Sequence, residues 1–322
     1  MAGICDGFQR GISYLRISVT DRCNLRCIYC MPREGVPLVA HSDILSFEEI
    51  QMVVRAAAEL GIDKIRITGG EPLVRLHLTE LIRMISDIDG VDEISMTTNG
   101  ILLGKYAKDL REAGLRRVNV SLDTLKVGRF KDITRTGELA DALKGIRAAT
   151  EAGLNPVKIN MVPMKGINDD EIIDFAKMTL ESGWHVRFIE LMPFKRNVEL
   201  IPSNLLRSQI ETLGNLEPYF GITVTGPARY FRLPGTTGTI GFISAVSEPF
   251  CEGCNRLRLS ATGMLFPCLF SQNGMDLRTH LRRGVPLEEL KNLFTETIAL
   301  KPKQHQLSTG NPVTKNMSSI GG

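Results

Sequence analysis

The stretch at residues 46–68, S-F-E-E-I-Q-M-V-V-R-A-A-A-E-L-G-I-D-K-I-R-I-T, predicts one helix followed by one strand. Ser46 with Glu49 three residues later is the capping-box pattern of a helix start. Apolar residues recur at helical spacing through residues 47–60, and the glycine that follows is typical of a helix end. Residues 64–68 form a short β-rich run. The stretch therefore predicts one α/β unit.

The same unit recurs along the first part of the chain. Strands are predicted at residues 14–19, 64–68, 93–97, 117–121, 155–161 and 186–190. Helices are predicted between them at residues 47–60, 78–88, 104–113, 139–152 and 170–182. Six β–α units in series imply a parallel sheet, because parallel strands need crossover connections. No G-x-G-x-x-G follows the first strand, where a dinucleotide-binding fold needs it. We therefore expect an α/β fold with an incomplete (βα)6 TIM-like barrel.

The pattern changes near residue 193. One further helix is predicted at residues 201–213, short strands at 230–233 and 238–243, and two helices at 275–283 and 286–300. Residues 301–322 are polar and aperiodic, as flexible tails are. The expected organisation is a barrel at 1–193, a C-terminal extension at 194–300 and a flexible tail at 301–322 that ends in Gly-Gly.

Composition narrows the class of protein. The 322 residues are 43% hydrophobic and 23% charged, an ordinary globular composition. The formal charge of +3 is too small to indicate a nucleic-acid partner. No apolar run approaches the ~20 residues of a membrane helix, and the first residues do not resemble a signal peptide. We expect a cytoplasmic protein, in which cysteines stay reduced.

Three thiols lie within eight residues at Cys23, Cys27 and Cys30, with the spacing C-x3-C-x2-C and no fourth cysteine nearby. Iron–sulfur cubanes are usually held by four thiolates. A site with three thiolates leaves one iron open to an exogenous ligand, as catalytic zinc sites keep one position open. Structural zinc, the main alternative, favours C-x2-C pairs and four ligands.

A second triplet, Cys251, Cys254 and Cys268, has the spacing C-x2-C-x13-C. It fits either a zinc ribbon that lacks a ligand or a second cluster with an open iron. Arg256 and Arg258 point the same way if this stretch is extended, and guanidinium groups suit an anionic ligand. A solvated basic strand is the alternative.

Polar side chains also gather where the predicted strands end, which is the edge where barrel active sites are built. Several of them are cations, and Arg and Lys bind phosphate through charge-assisted hydrogen bonds. Each cation could instead form a structural ion pair, although their convergence favours a site. The residues concerned are Arg16, Arg66, Thr97, Ser121, Lys158, Arg187 and Met192.

The first cysteine run, with Tyr29 before its last thiol, resembles the fingerprint of the radical S-adenosylmethionine superfamily. The run Gly69-Gly70-Glu71-Pro72 after the second predicted strand resembles a further motif of that family. The resemblance implies a radical SAM barrel whose three thiols hold a [4Fe–4S] cluster, with S-adenosylmethionine on the open iron. It implies reductive cleavage of the sulfonium to a 5′-deoxyadenosyl radical that abstracts hydrogen. The role of the protein is then to bind and orient the cofactor and the substrate and to exclude side reactions.

Within the superfamily, the segments 15–23, 66–72 and 250–259 and the final diglycine resemble the GTP-cyclising family of molybdenum cofactor biosynthesis. The resemblance implies a lyase that removes hydrogen from the ribose C3′ of GTP and joins C3′ to C8, giving (8S)-3′,8-cyclo-7,8-dihydroguanosine 5′-triphosphate. It implies a reductant and a pathway partner, cyclic pyranopterin monophosphate synthase (protein C). The sequence does not decide whether the chain forms a homodimer. Neither nucleic acid nor membrane is expected as a partner.

The resemblance also assigns roles to residues of this sequence. Two [4Fe–4S] clusters are implied, one on Cys23, Cys27 and Cys30 and one on Cys251, Cys254 and Cys268. The second is expected across the barrel mouth from the first, with its open iron facing the purine. The residues expected to bind GTP are Arg16, Arg66, Thr97, Lys158, Arg256, Leu257 and Arg258. Those expected to line the S-adenosylmethionine pocket are Tyr29, Gly70, Ser121 and Met192. Those expected to serve catalysis are Arg187, Gly321 and Gly322.

Two other functions stay open on sequence alone. A radical enzyme that modifies a peptide would use the second cluster as an auxiliary electron carrier. Such enzymes often have more cysteines in the C-terminal region than the three present here. A non-catalytic zinc-binding module is the second alternative.

Overall fold

The computed structural model describes residues 3–192, 199–221 and 226–305. Its strands are β1 (Tyr14–Ser18), β2 (Lys64–Thr68), β3 (Glu93–Thr98), β4 (Arg117–Ser121), β5 (Lys158–Met161), β6 (His185–Ile189), β7 (Glu217–Pro218), β8 (Arg229–Arg232), β9 (Ile240–Ile243), β10 (Arg256–Leu259), β11 (Met264–Phe266) and β12 (Met275–Asp276). Its α-helices are α1 (Phe47–Glu59), α2 (Leu78–Ser86), α3 (Leu103–Glu112), α4 (Val127–Thr134), α5 (Leu139–Glu151), α6 (Ile172–Glu181), α7 (Ser203–Ile210), α8 (Leu277–Arg282) and α9 (Leu287–Ala299).

The unit at residues 46–68 forms as the sequence predicts. The Ser46 hydroxyl accepts a hydrogen bond from the Glu49 amide at 3.1 Å, and the Glu49 carboxylate accepts one from the Ser46 amide at 2.8 Å. This capping box satisfies two amides that have no partner within the first turn of α1. The apolar face of α1 is buried against the sheet through Ile50, Val53 and Val54.

The described strands form one sheet in the order β12-β11-β10-β1-β2-β3-β4-β5-β6-β9-β8-β7. Strands β1 to β6 are parallel neighbours, β10 adds in parallel to β1, and β9 adds in parallel to β6. The outer edges of β9 and β10 pair with antiparallel β8 and β11, so β9 and β10 do not meet. The sheet is open, and the prediction of an incomplete barrel is confirmed.

The C-terminal region is part of the same sheet and the same core. Leu257 of β10 and Phe294 of α9 belong to one apolar cluster with residues of β1, β2 and α1. The domain boundary expected at residue 193 therefore stays a prediction. Residues 193–198 lie outside the described part of the chain. Lys301, the first residue of the expected tail, is buried, and its ammonium donates to the carbonyls of Arg256 and Pro267.

Several elements differ from the prediction. Helix α4 and strands β7 and β11 were not expected. Strand β5 starts at Lys158 and not at residue 155, and Pro156 has no amide hydrogen to donate to a ladder. Residues 275–276 form strand β12 before α8 begins. Within the described ranges, no helix combines the length and the apolar character that crossing a lipid bilayer requires.

Candidate functional site

An internal cavity of about 350 Å³ runs through the barrel. Strand alternation explains its polar lining, because successive side chains of a strand point to opposite faces. On β1, Leu15 and Ile17 enter the apolar layer beneath the helices, whereas Arg16 lines the cavity. Among the predicted site residues, those that line the cavity are Arg16, Cys23, Cys27, Tyr29, Cys30, Arg66, Gly70, Thr97, Ser121, Lys158, Arg187, Met192, Cys251, Cys254, Arg256, Arg258 and Cys268.

The first triplet lies in the loop after β1, at the carboxyl end of the parallel strands. Its three thiols are partly buried. The end of α4 supports the loop, since the amides of Arg26 and Ile28 donate to the carbonyls of Thr134 and Ile133 at 2.9 Å each. The guanidinium of Arg26 also donates to the Cys23 carbonyl at 2.6 Å. The helix that sequence reasoning missed is therefore a support of the first cysteine loop.

The Gly-Gly-Glu-Pro segment docks directly on that loop. The Gly70 amide donates to the Thr20 carbonyl and the Glu71 amide to the Arg22 carbonyl, each at 2.8 Å. A Cβ atom at Gly70 would lie 2.3 Å from the Arg22 carbonyl oxygen. Glycine is required here because the two backbones approach so closely.

Glu71 ties the ends of β2 and β3 together. Its carboxylate accepts hydrogen bonds from the Thr98 hydroxyl and the Asn99 amide, both at 2.7 Å. Burial raises the pKa of Glu71 to about 7 in spite of these bonds. From the sequence, Glu71 is predicted only as part of the Gly-Gly-Glu-Pro motif.

Tyr29 is held in place by a second buried carboxyl group. Its hydroxyl donates to Asp123 at 2.7 Å, and Asp123 also accepts from the Val162 amide at 2.9 Å. Burial raises the pKa of Asp123 to about 6. The bond fixes the ring of Tyr29 beside the first triplet. Asp123 lies two residues after the end of β4, and this position at a strand end is the signal in the sequence that marks it.

Three cations in the barrel wall hydrogen-bond to neutral groups. Arg66 donates to the Tyr14 hydroxyl and, at 3.3 Å, to the Thr97 hydroxyl. The other two bonds run from Lys158 Nζ to the Tyr230 hydroxyl at 3.1 Å and from Arg187 Nε to Asn160 Oδ1 at 2.8 Å. Such bonds place the cations without neutralising them.

The electrostatics of the wall favour an anionic ligand. Burial, together with Arg187, Arg117 and Arg66, lowers the pKa of Lys158 to about 6. Burial and repulsion from Arg256 lower the pKa of Arg258 to about 10. A polyanion in the cavity would relieve this repulsion among buried cations.

Strand β10 carries predicted residues on both of its faces. Arg258 lies level with Arg16 of β1, and Arg256 lies over the Phe250 ring at 4.9 Å. The side chain of Leu257 points the other way and is fully buried in the apolar core. Leu257 can therefore contact a ligand in the cavity through its backbone only, because strand side chains alternate.

The second triplet lies at the opposite end of the barrel from the first. Cys251 and Cys254 precede β10, which runs parallel to β1, so they lie at the amino end of the parallel strands. Cys268 follows β11, which runs antiparallel to β10 and ends on the same side. The expectation that both triplets face each other across the barrel mouth was wrong in this respect. One cavity joins the two ends.

The donor set at each end fits a cluster with three thiolates. All six cysteines are partly buried. Burial opposes ionisation of Cys254, but Arg256 and Lys301 outweigh it and lower the pKa of this thiol to about 7. In the described part of the chain, no three His, Cys, Asp or Glu side chains converge closely enough to hold a single metal ion. The thiolates of a cubane bind separate irons, so the three thiols of a cluster site lie farther apart than the ligands of one metal ion.

Two predicted site residues, Gly321 and Gly322, lie outside the described residues. Two residues predicted only as part of the tail, Lys301 and His305, line the cavity. No local signal marks these two residues, because their contacts are with residues distant in the chain.

Known protein families and a solved structure match this chain and its fold. The family described as Radical SAM superfamily matches residues 17–179, and the family Molybdenum Cofactor Synthesis C matches residues 184–307. A crystal structure of Streptococcus suis SuiB bound to S-adenosylmethionine has a TM-score of 0.60 at 17% identity, with 83% of this chain and 63% of that chain covered. At this identity the likeness shows the fold alone.

Relatives of nearly equal length are much more similar. The GTP 3′,8-cyclase of Moorella thermoacetica is 50% identical over 321 residues, covering 98% of this chain and 99% of the relative. The GTP 3′,8-cyclase of Desulforamulus reducens is 51% identical over 324 residues, with the same coverage. The chain therefore belongs to the GTP 3′,8-cyclase family of the radical S-adenosylmethionine superfamily.

Proposed function

We propose that this chain converts GTP to (8S)-3′,8-cyclo-7,8-dihydroguanosine 5′-triphosphate, the first step of molybdenum cofactor biosynthesis. The observation that carries the proposal is one cavity with a cysteine triplet at each end and a wall of cations between them. The relatives named GTP 3′,8-cyclase support the same activity. A triphosphate is the kind of ligand that several buried cations call for.

Cys23, Cys27 and Cys30 would hold one [4Fe–4S] cluster, and Cys251, Cys254 and Cys268 a second. With S-adenosylmethionine, the first cluster would supply the one-electron chemistry that removes a hydrogen atom from ribose C3′. The residues that position S-adenosylmethionine in this proposal are Tyr29, Gly70, Ser121 and Met192. The hydrogen bond from Tyr29 to Asp123 and the docking of Gly70 on Arg22 support it, because they fix the two loops that meet there.

The residues that bind GTP in this proposal are Arg16, Arg66, Thr97, Lys158, Arg256 and Arg258, with the backbone of Leu257. The purine lies towards the second triplet. Arg187 contributes a further cation beside Lys158 and Asn160. The polar side chains hold the nucleotide between the ends of the barrel, so that ribose C3′ faces the first triplet and water is kept out.

The test is a set of variants assayed anaerobically after cluster reconstitution. Cys23→Ser should abolish S-adenosylmethionine cleavage, whereas Cys268→Ser should mainly reduce GTP binding and product. A chain that ends at Ile320 should keep both clusters and lose product, because Gly321 and Gly322 serve catalysis in this proposal. Cys5→Ser is the matched control, since Cys5 is exposed and lies outside both triplets. Equal losses of both functions in Cys23→Ser and Cys268→Ser would reject the division of roles.

Further partners belong to the same proposal. An electron donor would reduce the first cluster, and the product would pass to cyclic pyranopterin monophosphate synthase (protein C). A homodimer would appear as a doubled mass in light scattering. The peptide-modifying alternative is separated by iron and sulfide analysis together with product analysis. About eight irons per chain fit both radical enzymes, and only the cyclase makes a nucleotide product.

A further inference from the structure

Lys301 is a buried lysine to which the proposed function assigns no role. It lies two residues after the end of α9 and is only 3% exposed. Its ammonium donates to the carbonyls of Arg256 and Pro267, each at 2.7 Å. Arg256 lies two residues after Cys254, and Pro267 lies directly before Cys268. One ammonium thus holds together the two chain segments that carry two of the three thiols.

The charge of this ammonium needs a partner, because burying an unpaired cation is strongly unfavourable. Within residues 3–192, 199–221 and 226–305, no carboxylate forms an ion pair with Lys301. Burial lowers the pKa of Lys301, and Arg256 and Arg10 act in the same direction, whereas Cys254 and Cys268 oppose them. Lys301 lines the same cavity as Cys254 and Cys268, so the thiolates of a bound cluster would supply negative charge facing it.

The nearby cation Arg10 offers an internal comparison. Arg10 also serves this loop, because it donates to the carbonyls of Cys251 at 2.7 Å and Pro302 at 2.8 Å. Unlike Lys301, it is neutralised by Asp6, at 2.6 Å from its Nε. Arg10 thus fixes the segment that carries Lys301 and adds little net charge. Two cations beside the second triplet form no ion pair with a carboxylate in the described part of the chain: Arg256, which lies 3.8 Å from the Cys254 sulfur, and the more deeply buried Lys301.

We propose that Lys301 sets the electrostatic environment of the second cluster: its ammonium, held by the Arg256 and Pro267 carbonyls, stabilises the thiolate-bound cluster and raises its reduction potential. The inference rests on the proposed function, because it requires a cluster at the second triplet. A fixed positive charge favours the reduced and more negative state, since charge and hydrogen bonding near the thiolates tune such potentials. Lys301 is a positioning residue, since it acts on the cluster through charge and through the loop.

The experiment isolates the second cluster in the full-length chain. A parent with Cys23, Cys27 and Cys30 each changed to Ala is reconstituted anaerobically, and the remaining cluster is titrated with reductant and followed by electron paramagnetic resonance. Lys301→Met removes the charge and the hydrogen bonds. Lys301→Gln removes the charge and keeps a donor for the carbonyls. Lys303→Met, two residues away and exposed, is the matched control.

Both Lys301 variants are expected to shift the midpoint potential to more negative values, and Lys303→Met to leave it unchanged. An unchanged potential in Lys301→Gln with a full complement of iron would overturn the proposal. If the Lys301 variants lose iron while their cluster-free forms unfold at the same temperature as the parent, the charge is needed to retain the cluster, which supports it. If the cluster-free variants fail to fold, Lys301 is a structural residue and the proposal falls. A parent that holds no four-iron cluster would instead refute the proposed function.

Discussion

At the scale of the single residue, the protonation state of Lys158 is expected to depend on whether an anion is bound. Its ammonium contacts the Tyr230 hydroxyl and lies 5.1 Å from the centre of that ring. Burial and the neighbouring Arg187 lower its pKa to about 6. Without a bound anion, Lys158 is therefore mostly neutral above that pH. A triphosphate raises this pKa again, because an opposite charge favours the charged form.

Binding of GTP is accordingly expected to take up a proton above pH about 6. The affinity of the wild type should then fall as the pH rises, by at most about tenfold per pH unit from this group. Lys158→Met should bind GTP more weakly and lose this component of the pH dependence. Anaerobic calorimetry in buffers of different ionisation enthalpy measures the proton uptake directly.

The phosphates of GTP also titrate, and the difference between the two proteins removes their contribution. Equal proton uptake by the wild type and Lys158→Met would show that Lys158 does not titrate on binding.

Gly70 makes a second prediction at this scale. Gly70→Ala would place a methyl group 2.3 Å from the Arg22 carbonyl oxygen, so the two loops must separate. The variant should bind S-adenosylmethionine at least tenfold more weakly and bind less iron at the first triplet, as iron analysis and equilibrium dialysis would show. Gly128→Ala is the control, because its Cβ would meet no atom within 4 Å. Similar behaviour of both variants would contradict this account of the motif.

At the scale of the element, the four residues of β10 include side chains that pack in the core and side chains that line the cavity. Leu257 is fully buried in the core, and Arg258 lines the cavity from the opposite face. The same alternation places Arg16 in the cavity between Leu15 and Ile17. Neighbouring residues of one strand thus serve different purposes.

Leu257→Ala is expected to lower the free energy of unfolding by about 2–5 kcal/mol, the usual range for a buried leucine. Arg258→Met should weaken GTP binding while the free energy of unfolding changes much less. Urea unfolding and nucleotide binding distinguish the two effects. Leu300→Ala is the control, because Leu300 is 70% exposed and should change stability by less than about 0.5 kcal/mol. A stable Leu257→Ala that fails to bind GTP would show that its side chain serves binding.

Local patterns predicted most strands and helices of the barrel well. The bounds of β2 and β4 agree with the prediction, because each is a short β-rich run with a clear end. Helix α4 was missed because it has only eight residues, contains Gly128 and begins without a side-chain cap. Its stability comes from packing of Phe130 and Ile133, which local propensity does not report.

At the scale of the whole molecule, the sheet topology determines how the two triplets are arranged. The spacing of each triplet was readable from the sequence, and both triplets line one cavity. Their placement at opposite ends was not readable, because it depends on β10 pairing in parallel with β1 across about 240 residues. The cationic residues of β1, β2, β5 and β6 lie between the two ends. This order, cysteines, cations and cysteines, is the basis of the proposed function.

The most direct test of this arrangement follows one hydrogen atom. The reconstituted enzyme is incubated anaerobically with S-adenosylmethionine, a reductant and GTP that carries deuterium at ribose C3′, and the products are analysed by mass spectrometry. The account predicts a cyclised nucleotide and 5′-deoxyadenosine that has gained the deuterium. Deuterium-free 5′-deoxyadenosine with GTP left unchanged would contradict it.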